Sequence, residues 1–86
     1  MTDEQIAATL KRLMTQTAGI PEELIQLDST FEGDLAMDSL SFVAFQVELE
    51  QTFKIDCPLE DLYDIVRFDE VVALVRSKLP AEEAVS

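Results

Sequence analysis

The sequence predicts an all-α fold: a four-helix bundle with a short third helix and a long ordered loop after the first helix. Apolar residues recur at helical spacing in three long segments. The chain has only two glycines and three prolines, too few for a turn-rich β protein, and its 86 residues with 48% apolar content can form one small core. We assign residues 1–80 to this domain and expect residues 81–86 to be a flexible acidic tail.

The first helix is predicted from an apolar stripe with helical spacing: Ile6, Leu10, Leu13, Met14 and Thr17. Thr2 and Gln5 have the spacing of a capping box at its start. Gly19 suits the left-handed position after a helix and Pro21 cannot continue it, so the helix is expected to end there.

Residues 20–37 form an unusually long connection for a compact domain. Large apolar residues recur through it: Leu24, Ile25, Leu27, Phe31 and Leu35. This pattern favours an ordered loop that packs on the bundle, with a turn of helix after Pro21.

The second helix is predicted from about Asp38 to Phe53 and carries two apolar stripes. Phe42, Phe45, Leu49 and Phe53 are spaced by 3, 4 and 4, so this aromatic stripe is expected to face the core. The other stripe lies on a different face, beside Ala44 and Glu50: Leu40, Val43 and Val47. Such a helix is either buried on two sides or offers one stripe to a partner.

A short third helix is expected around Glu60–Asp64, after Pro58. The last helix is predicted at about Phe68–Leu79, with Pro80 ending it. Its last turn contains two basic residues, Arg76 and Lys78, which complement the helix dipole.

The charge and the residue types exclude several classes of function. A net charge of −12 argues against binding to nucleic acid or anionic membranes and favours basic protein surfaces, although solubility alone would also explain it. The chain has no histidine, so a Ser–His nucleophile is impossible, and no cluster matches a zinc or calcium site. We therefore expect no enzymatic activity and no bound metal.

The single cysteine excludes an intramolecular disulfide and agrees with a cytoplasmic protein. No apolar run has the ~20 residues that span a bilayer, and the N-terminus lacks a signal-peptide pattern. For Cys57 itself, packing as a small apolar group is favoured over a reactive thiol, because acidic surroundings would raise its pKa.

The tripeptide at residues 38–40 is open to two interpretations. Asp38 can cap a helix whose first residue is Ser39, and Leu40 then begins the apolar pattern. The same position suits a functional serine, because free N–H groups and the positive end of the dipole tolerate an attached phosphate.

The segment "FEGDLAMDSLSFVAFQVELEQTFKIDCPLEDL" closely resembles the central part of acyl carrier proteins. The similarity extends to "GIPEELIQLDSTF" before it and "FDEVVALVRSKL" after it, and so covers nearly the whole chain.

The resemblance implies a four-helix bundle whose serine in D-S-L receives 4′-phosphopantetheine from coenzyme A through a phosphopantetheinyl transferase. Ser39 would then be the attachment point, with Asp38 and Leu40 flanking it. The bundle would shelter part of the acyl chain, with three candidate lining residues: Phe42, Phe45 and Leu49. Six residues of the second helix are candidates for partner docking: Leu40, Val43, Ala44, Val47, Glu48 and Glu50.

Four positions depart from the pattern of fatty-acid carriers. Ala36 replaces the usual glycine before D-S-L, while Ser41, Ala44 and Gln51 stand where acids are common. Basic partners would gain less from this face, although each lost exposed ion pair is worth only ~0.2–1 kcal/mol.

We therefore predict a monomeric, free-standing carrier that passes a thioester-linked acyl group between partners such as a loading enzyme and a ketosynthase. Polyketide, nonribosomal-peptide or related specialised biosynthesis is favoured over fatty-acid synthesis, which stays an alternative. Two further alternatives are a carrier-like subunit that is never modified and an unrelated acidic helical adaptor or nucleic-acid mimic.

Overall fold

The computed structural model describes residues 2–79 and confirms the all-α class with four helices. The helices are α1 (Asp3–Ala18), α2 (Ser39–Phe53), α3 (Leu59–Leu62) and α4 (Phe68–Lys78), and the long loop contains one 3-10 turn, Glu22–Leu24. Pro80 and the predicted tail lie outside the described residues. Among residues 2–79, no helix is long and apolar enough to cross a membrane.

Both ends of α1 form as the sequence predicts. The Thr2 hydroxyl accepts the Gln5 N–H at 3.1 Å, and the Gln5 side chain accepts the Thr2 N–H at 2.9 Å. At the other end Gly19 has a φ of 71°, the left-handed conformation that glycine adopts without strain.

The third helix begins and ends earlier than predicted. It covers Leu59–Leu62 instead of residues 60–64. The Ile65 N–H donates to the Leu62 carbonyl at 3.1 Å, which closes the turn after Leu62, and Tyr63 is already exposed. The helix starts earlier because Pro58 is its N-cap residue, and the Asp61 N–H donates to the Pro58 carbonyl at 3.0 Å.

α1 packs against α2 and α4 around one core. The fully buried large side chains of this core come from every helix and from the long loop: Phe45, Phe68, Ile6, Leu10, Met14, Ile25, Leu49, Leu62, Val71 and Val75. The aromatic stripe of α2 faces this core as predicted, with Phe42 only half-buried at its edge.

Two ion pairs join α4 to the rest of the bundle. Arg76 lies 2.9 Å from Asp3 of α1, and Lys78 lies 2.8 Å from Asp61 of α3. The Lys78–Asp61 contact raises the pKa of the Lys78 ammonium. The two bases predicted to complement the α4 dipole therefore also connect helices.

The long loop is ordered because its backbone pairs with the segment before α4. The Phe31 N–H donates to the Val66 carbonyl at 3.0 Å, and the Phe68 N–H donates to the Ser29 carbonyl at 2.9 Å. Ile25, Phe31 and Leu35 are buried as the loop prediction requires. Leu24 and Leu27 are not, since 62% and 57% of their surface is exposed.

A tight turn at Gly33 leads the loop toward α2. The Thr30 N–H donates to Asp34 at 3.0 Å, and the Asp34 N–H donates to the Thr30 hydroxyl at 2.9 Å. A Cβ atom on Gly33 would lie 2.8 Å from that hydroxyl oxygen. Glycine at position 33 thus allows the close approach to Thr30, and a larger residue would force the Thr30 hydroxyl to move.

Gly33→Ala is expected to lower the free energy of unfolding by about 1 kcal/mol, because the Thr30 hydroxyl must turn away and lose its bond to Asp34. Urea denaturation measures this cost. In a Thr30→Ala background the added methyl group has nothing to displace, so the same substitution should cost much less. An equal cost in both backgrounds would contradict the assignment.

Candidate functional site

Ser39 is the first residue of α2, and its side chain is exposed. Asp38 precedes it in an extended conformation, and Asp38 Oδ1 accepts the Ser41 N–H at 2.8 Å. Asp38 is therefore the N-cap that the sequence predicts. The cap fixes where the helix begins, and with it the position of the Ser39 hydroxyl.

The start of α2 favours negative charge. The hydrogen bond from the Ser41 backbone N–H is the main cause that lowers the pKa of the exposed Asp38 carboxyl, and a hydrogen bond with the Ser41 side chain lowers it further. The same helix end has N–H groups and a positive dipole end directed toward the region of Ser39. A phosphate attached to this serine would lie where an α-helix stabilises an anion.

The backbone before the serine makes a left-handed turn at Ala36, whose φ is 52°. An L-residue with a side chain is strained by about 1 kcal/mol in this conformation, and glycine is not. Two bonds hold the turn against the loop, from the Leu35 N–H to the Thr30 carbonyl and from the Met37 N–H to the Phe31 carbonyl, both 2.9 Å. The positive φ explains why fatty-acid carriers usually have glycine at the position of Ala36, a conformational reason that the residue pattern alone does not reveal.

An open cleft with a volume of about 940 Å³ lies beside Ser39. It runs between the long loop, the first turn of α2 and the α3 segment. Its lining is mainly apolar, with polar groups near the serine: Thr30, Phe31, Glu32, Gly33, Met37, Asp38, Ser39, Phe42, Val43, Leu59, Leu62, Tyr63, Ile65 and Val66. The size and the apolar walls fit a flexible thiol arm and part of an attached acyl group.

The three predicted lining residues occupy different places. Phe42 is half-buried and lines the cleft, whereas Phe45 and Leu49 have 0% exposed surface and do not line it. A role of Phe45 and Leu49 in acyl lining therefore stays a prediction, while their place in the core is clear.

The second stripe of α2 is exposed. Leu40 exposes 81% of its surface, Val43 40% and Val47 41%, and Ala44 is exposed beside them. Among the described residues, α2 is therefore buried on one side only, and its second stripe is open to solvent. An apolar row on an otherwise charged surface is typical of a protein interaction site.

Glu50, predicted to shape docking, has an internal bond. Its Oε2 atom accepts the Cys57 N–H at 2.8 Å. One turn earlier, the buried Gln46 donates from Nε2 to the Cys57 carbonyl, also at 2.8 Å. Together these residues form a clamp, defined here as Gln46 and Glu50 on α2 holding both backbone groups of Cys57.

Sequence reasoning missed the clamp. Gln46 lies between the two apolar stripes of α2 and was assigned no role, although a polar residue next to a core stripe is a signal for a buried hydrogen bond. Glu48 is half-buried on the same helix. A docking role for Glu48 and Glu50 stays a prediction.

Cys57 is fully buried, and burial is the main cause that raises the pKa of its thiol. Asp61, Glu50 and Asp56 raise it further, while Lys78 opposes them. The acidic neighbours on which the sequence prediction relied are thus a smaller cause of the raised Cys57 pKa than burial. A buried neutral thiol agrees with a packing role for Cys57.

Among the described residues, no cluster of acids, cysteines or histidines could hold a metal ion.

Glu50 contributes both a negative charge and a hydrogen-bond acceptor for the Cys57 N–H, and two variants separate these contributions. Glu50→Ala is expected to lower the free energy of unfolding by about 1–2 kcal/mol, because the Cys57 N–H loses its acceptor. Glu50→Gln keeps an acceptor oxygen, so it should retain most of the stability while removing the charge. Thermal unfolding followed by circular dichroism compares the two variants. Equal losses would show that the charge matters rather than the hydrogen bond.

A family model described as "Phosphopantetheine attachment site" matches residues 8–75, which contain the cleft and the start of α2. The chain is 35% identical over 83 residues to an acyl carrier protein of Rhodococcus erythropolis, covering 96% of this chain and 90% of the relative. It is 33% identical over 79 residues to an acyl carrier protein of Coprothermobacter proteolyticus, covering 92% and 96%.

The fold is also similar to a solved structure, the apo doublet acyl carrier protein from prodigiosin biosynthesis. The TM-score is 0.77 at 23% identity, over 96% of this chain. This chain spans 44% of the length of that protein.

These matches define the class: a phosphopantetheine-dependent carrier domain. The chain belongs to the acyl carrier protein family. It is therefore a carrier and not an enzyme, its cofactor is 4′-phosphopantetheine, and its partners are a phosphopantetheinyl transferase and carrier-dependent enzymes. The resemblance drawn from the sequence is confirmed.

Proposed function

We propose that Ser39 carries 4′-phosphopantetheine and that the chain shuttles a thioester-linked acyl group between biosynthetic enzymes. One observation carries the proposal: an exposed serine hydroxyl at the capped start of a helix, at the mouth of an apolar cleft. When bound, the cofactor supplies the thiol on which an acyl group is held.

The residues around Ser39 have separate tasks in attachment. The Ser39 oxygen forms a bond to the phosphorus atom that carries the pantetheine, the pyrophosphate bond of coenzyme A breaks, and adenosine 3′,5′-bisphosphate leaves. The hydroxyl proton of Ser39 is expected to pass to a group of the transferase. The chain has no histidine, and the neighbouring Asp38 carboxylate is a weak base, because its pKa is lowered and its Oδ1 already accepts the Ser41 N–H. Asp38 holds the helix start in place, and the dipole stabilises the resulting phosphodiester. Leu40 stands exposed beside the serine as a contact for the transferase.

Partner enzymes are expected to dock along the exposed stripe of α2. Its centre is apolar, and the protein surface around it is negative, so a partner with an apolar patch and a basic rim fits. Ser41, Ala44 and Gln51 leave this face with fewer acids than fatty-acid carriers have. That composition supports a carrier of polyketide, nonribosomal-peptide or related specialised biosynthesis. We propose that the chain works as a monomer in the cytoplasm, a location with which its single cysteine agrees.

Ser39 attachment is tested by intact-protein mass spectrometry after incubation with coenzyme A and a promiscuous phosphopantetheinyl transferase. The wild type should gain the mass of one phosphopantetheine. Ser39→Ala should gain nothing, and the matched control Ser41→Ala, which changes the next serine on the same helix turn, should be modified like the wild type. A wild type without added mass would overturn the proposal and favour the adaptor functions.

Docking along α2 is tested by adding one negative charge to the stripe. Val47→Asp leaves the cleft lining unchanged and should lower the transferase kcat/KM about five- to tenfold, as expected for a contact at the centre of an interface. Ala8→Asp adds the same charge on the exposed face of α1 and should have little effect. Circular dichroism checks that both variants fold. Equal losses in kcat/KM would show that net charge, and not the stripe, controls docking.

A further inference from the structure

We propose that Asp34 is a positioning residue for the modification of Ser39. Its carboxylate closes the turn that precedes Ala36 and so holds the start of α2 where the serine can react. The inference rests on the proposed attachment at Ser39. Asp34 is exposed and lies outside the lining of the cleft, so it acts through the backbone and not by contact with the cofactor.

Thr30 and Asp34 bind each other twice. The Thr30 N–H donates to Asp34 Oδ2 at 3.0 Å, and the Asp34 N–H donates to the Thr30 hydroxyl at 2.9 Å. The Leu35 N–H adds a third bond across the turn, to the Thr30 carbonyl at 2.9 Å. Two of the three bonds use a side chain, so substitutions at residues 30 and 34 can remove them one at a time.

Thr30 also connects this turn to the segment before α4. It lies opposite Arg67 in an antiparallel pair, and the hydrogen bonds on that side are made by its neighbours, Ser29 and Phe31. The N–H and carbonyl groups of Thr30 point the other way, as alternate residues of an extended chain do. They bind Asp34 and the residue after it, so the turn is held against the bundle through Thr30.

The first turn of α2 depends on the chain that leads into it, because the core does not hold it. Ser39 and Leu40 are exposed, and the first buried residue of the helix is Phe45. Phe42 is half-buried, and its ring packs on Phe31 of the same loop, with the centroids 5.6 Å apart. Loss of a bond in the preceding turn is therefore expected to displace the serine hydroxyl.

The conformation of Ala36 makes the Asp34 side chain necessary. A φ of 52° is strained for a residue with a Cβ atom, and the turn has to be held in it. Glycine would adopt this φ whether or not Asp34 closed the turn. The chain with alanine at position 36 is therefore expected to lose more from removal of the carboxylate than the same chain with glycine there.

The test measures transfer of phosphopantetheine to Ser39 in single-turnover reactions with excess transferase, followed by intact-protein mass spectrometry. Asp34→Ala should lower the maximal rate about three- to tenfold, because a displaced serine reacts slowly even when the transferase is bound. The transferase concentration that gives half of the maximal rate should change less than about twofold, because the exposed stripe of α2 is unaltered.

Asp34→Asn separates hydrogen bonding from charge. Asparagine removes the same negative charge as alanine but keeps an oxygen that can accept the Thr30 N–H, so it should recover most of the rate. Two results would show that Asp34 is a charged docking contact and that the inference is wrong. One is an asparagine variant as slow as alanine, and the other is a salt-dependent loss confined to the half-saturating concentration.

Thr2→Ala is the matched control for stability. Thr2 forms the same kind of reciprocal pair with Gln5 at the start of α1, outside the cleft. Its replacement should lower the free energy of unfolding to a similar extent without slowing the transfer. Equal slowing by Thr2→Ala and Asp34→Ala would overturn the inference, because overall stability would then control the rate. If Asp34→Ala does not fold, Thr30→Val removes the other bond of the pair and should slow the transfer in the same way.

Hydrogen exchange of the unmodified protein gives a measurement that needs no enzyme. The Ser41 N–H donates to Asp38 while the start of α2 is formed. Its exchange should be several-fold faster in Asp34→Ala than in the wild type, and the increase should be smaller in an Ala36→Gly background. Unchanged Ser41 exchange, or an equal increase in both backgrounds, would contradict the inference.

The two proposals fail in different ways. A wild type that gains no mass overturns attachment at Ser39 and this inference with it. A wild type that is modified, together with an Asp34→Ala variant that is modified equally fast, overturns this inference alone.

Discussion

Phe31 is the residue on which the arrangement of the site depends. Its N–H bonds to Val66 before α4, and its carbonyl accepts the Met37 N–H just before α2. Its ring packs against Phe42 and Phe45 of α2. One buried loop residue therefore connects the segment before α4 to the residues just before α2, both of which line the cleft, and the position of Ser39 follows from that connection.

Much of the fold could be predicted because local patterns and the tertiary structure agree. The spacing of Ile6, Leu10 and Leu13 predicted the face of α1 that is buried, and Thr2, Gln5 and Gly19 predicted its ends. Ser39 at the helix start and the existence of a second apolar stripe on α2 were predicted in the same way, whereas the pattern left open whether that stripe is buried or exposed. These features depend on neighbours within about two helical turns, which a single sequence contains.

The features that sequence reasoning missed depend on partners far away in the chain. Gln46 and Glu50 bond to Cys57, and nothing in the period of α2 indicates that their side chains turn toward that segment. The exposure of Leu24 and Leu27 likewise depends on which loop residues the bundle can cover. Glu50 shows the consequence for function: a carboxylate counted as surface charge is also a structural acceptor, so charge and stability have to be separated by experiment.

The left-handed alanine before the serine makes the site depend on the loop that supports it. A glycine at position 36 would adopt this φ without strain, whereas alanine favours negative φ, so the fold has to hold Ala36 in this conformation against its own preference. The hydrogen bonds of the Leu35 and Met37 N–H groups to the long loop provide that hold. If these bonds opened, Ala36 would relax toward negative φ and the backbone that leads to Ser39 would change direction. The approach to the serine is therefore only as rigid as the loop on which it rests.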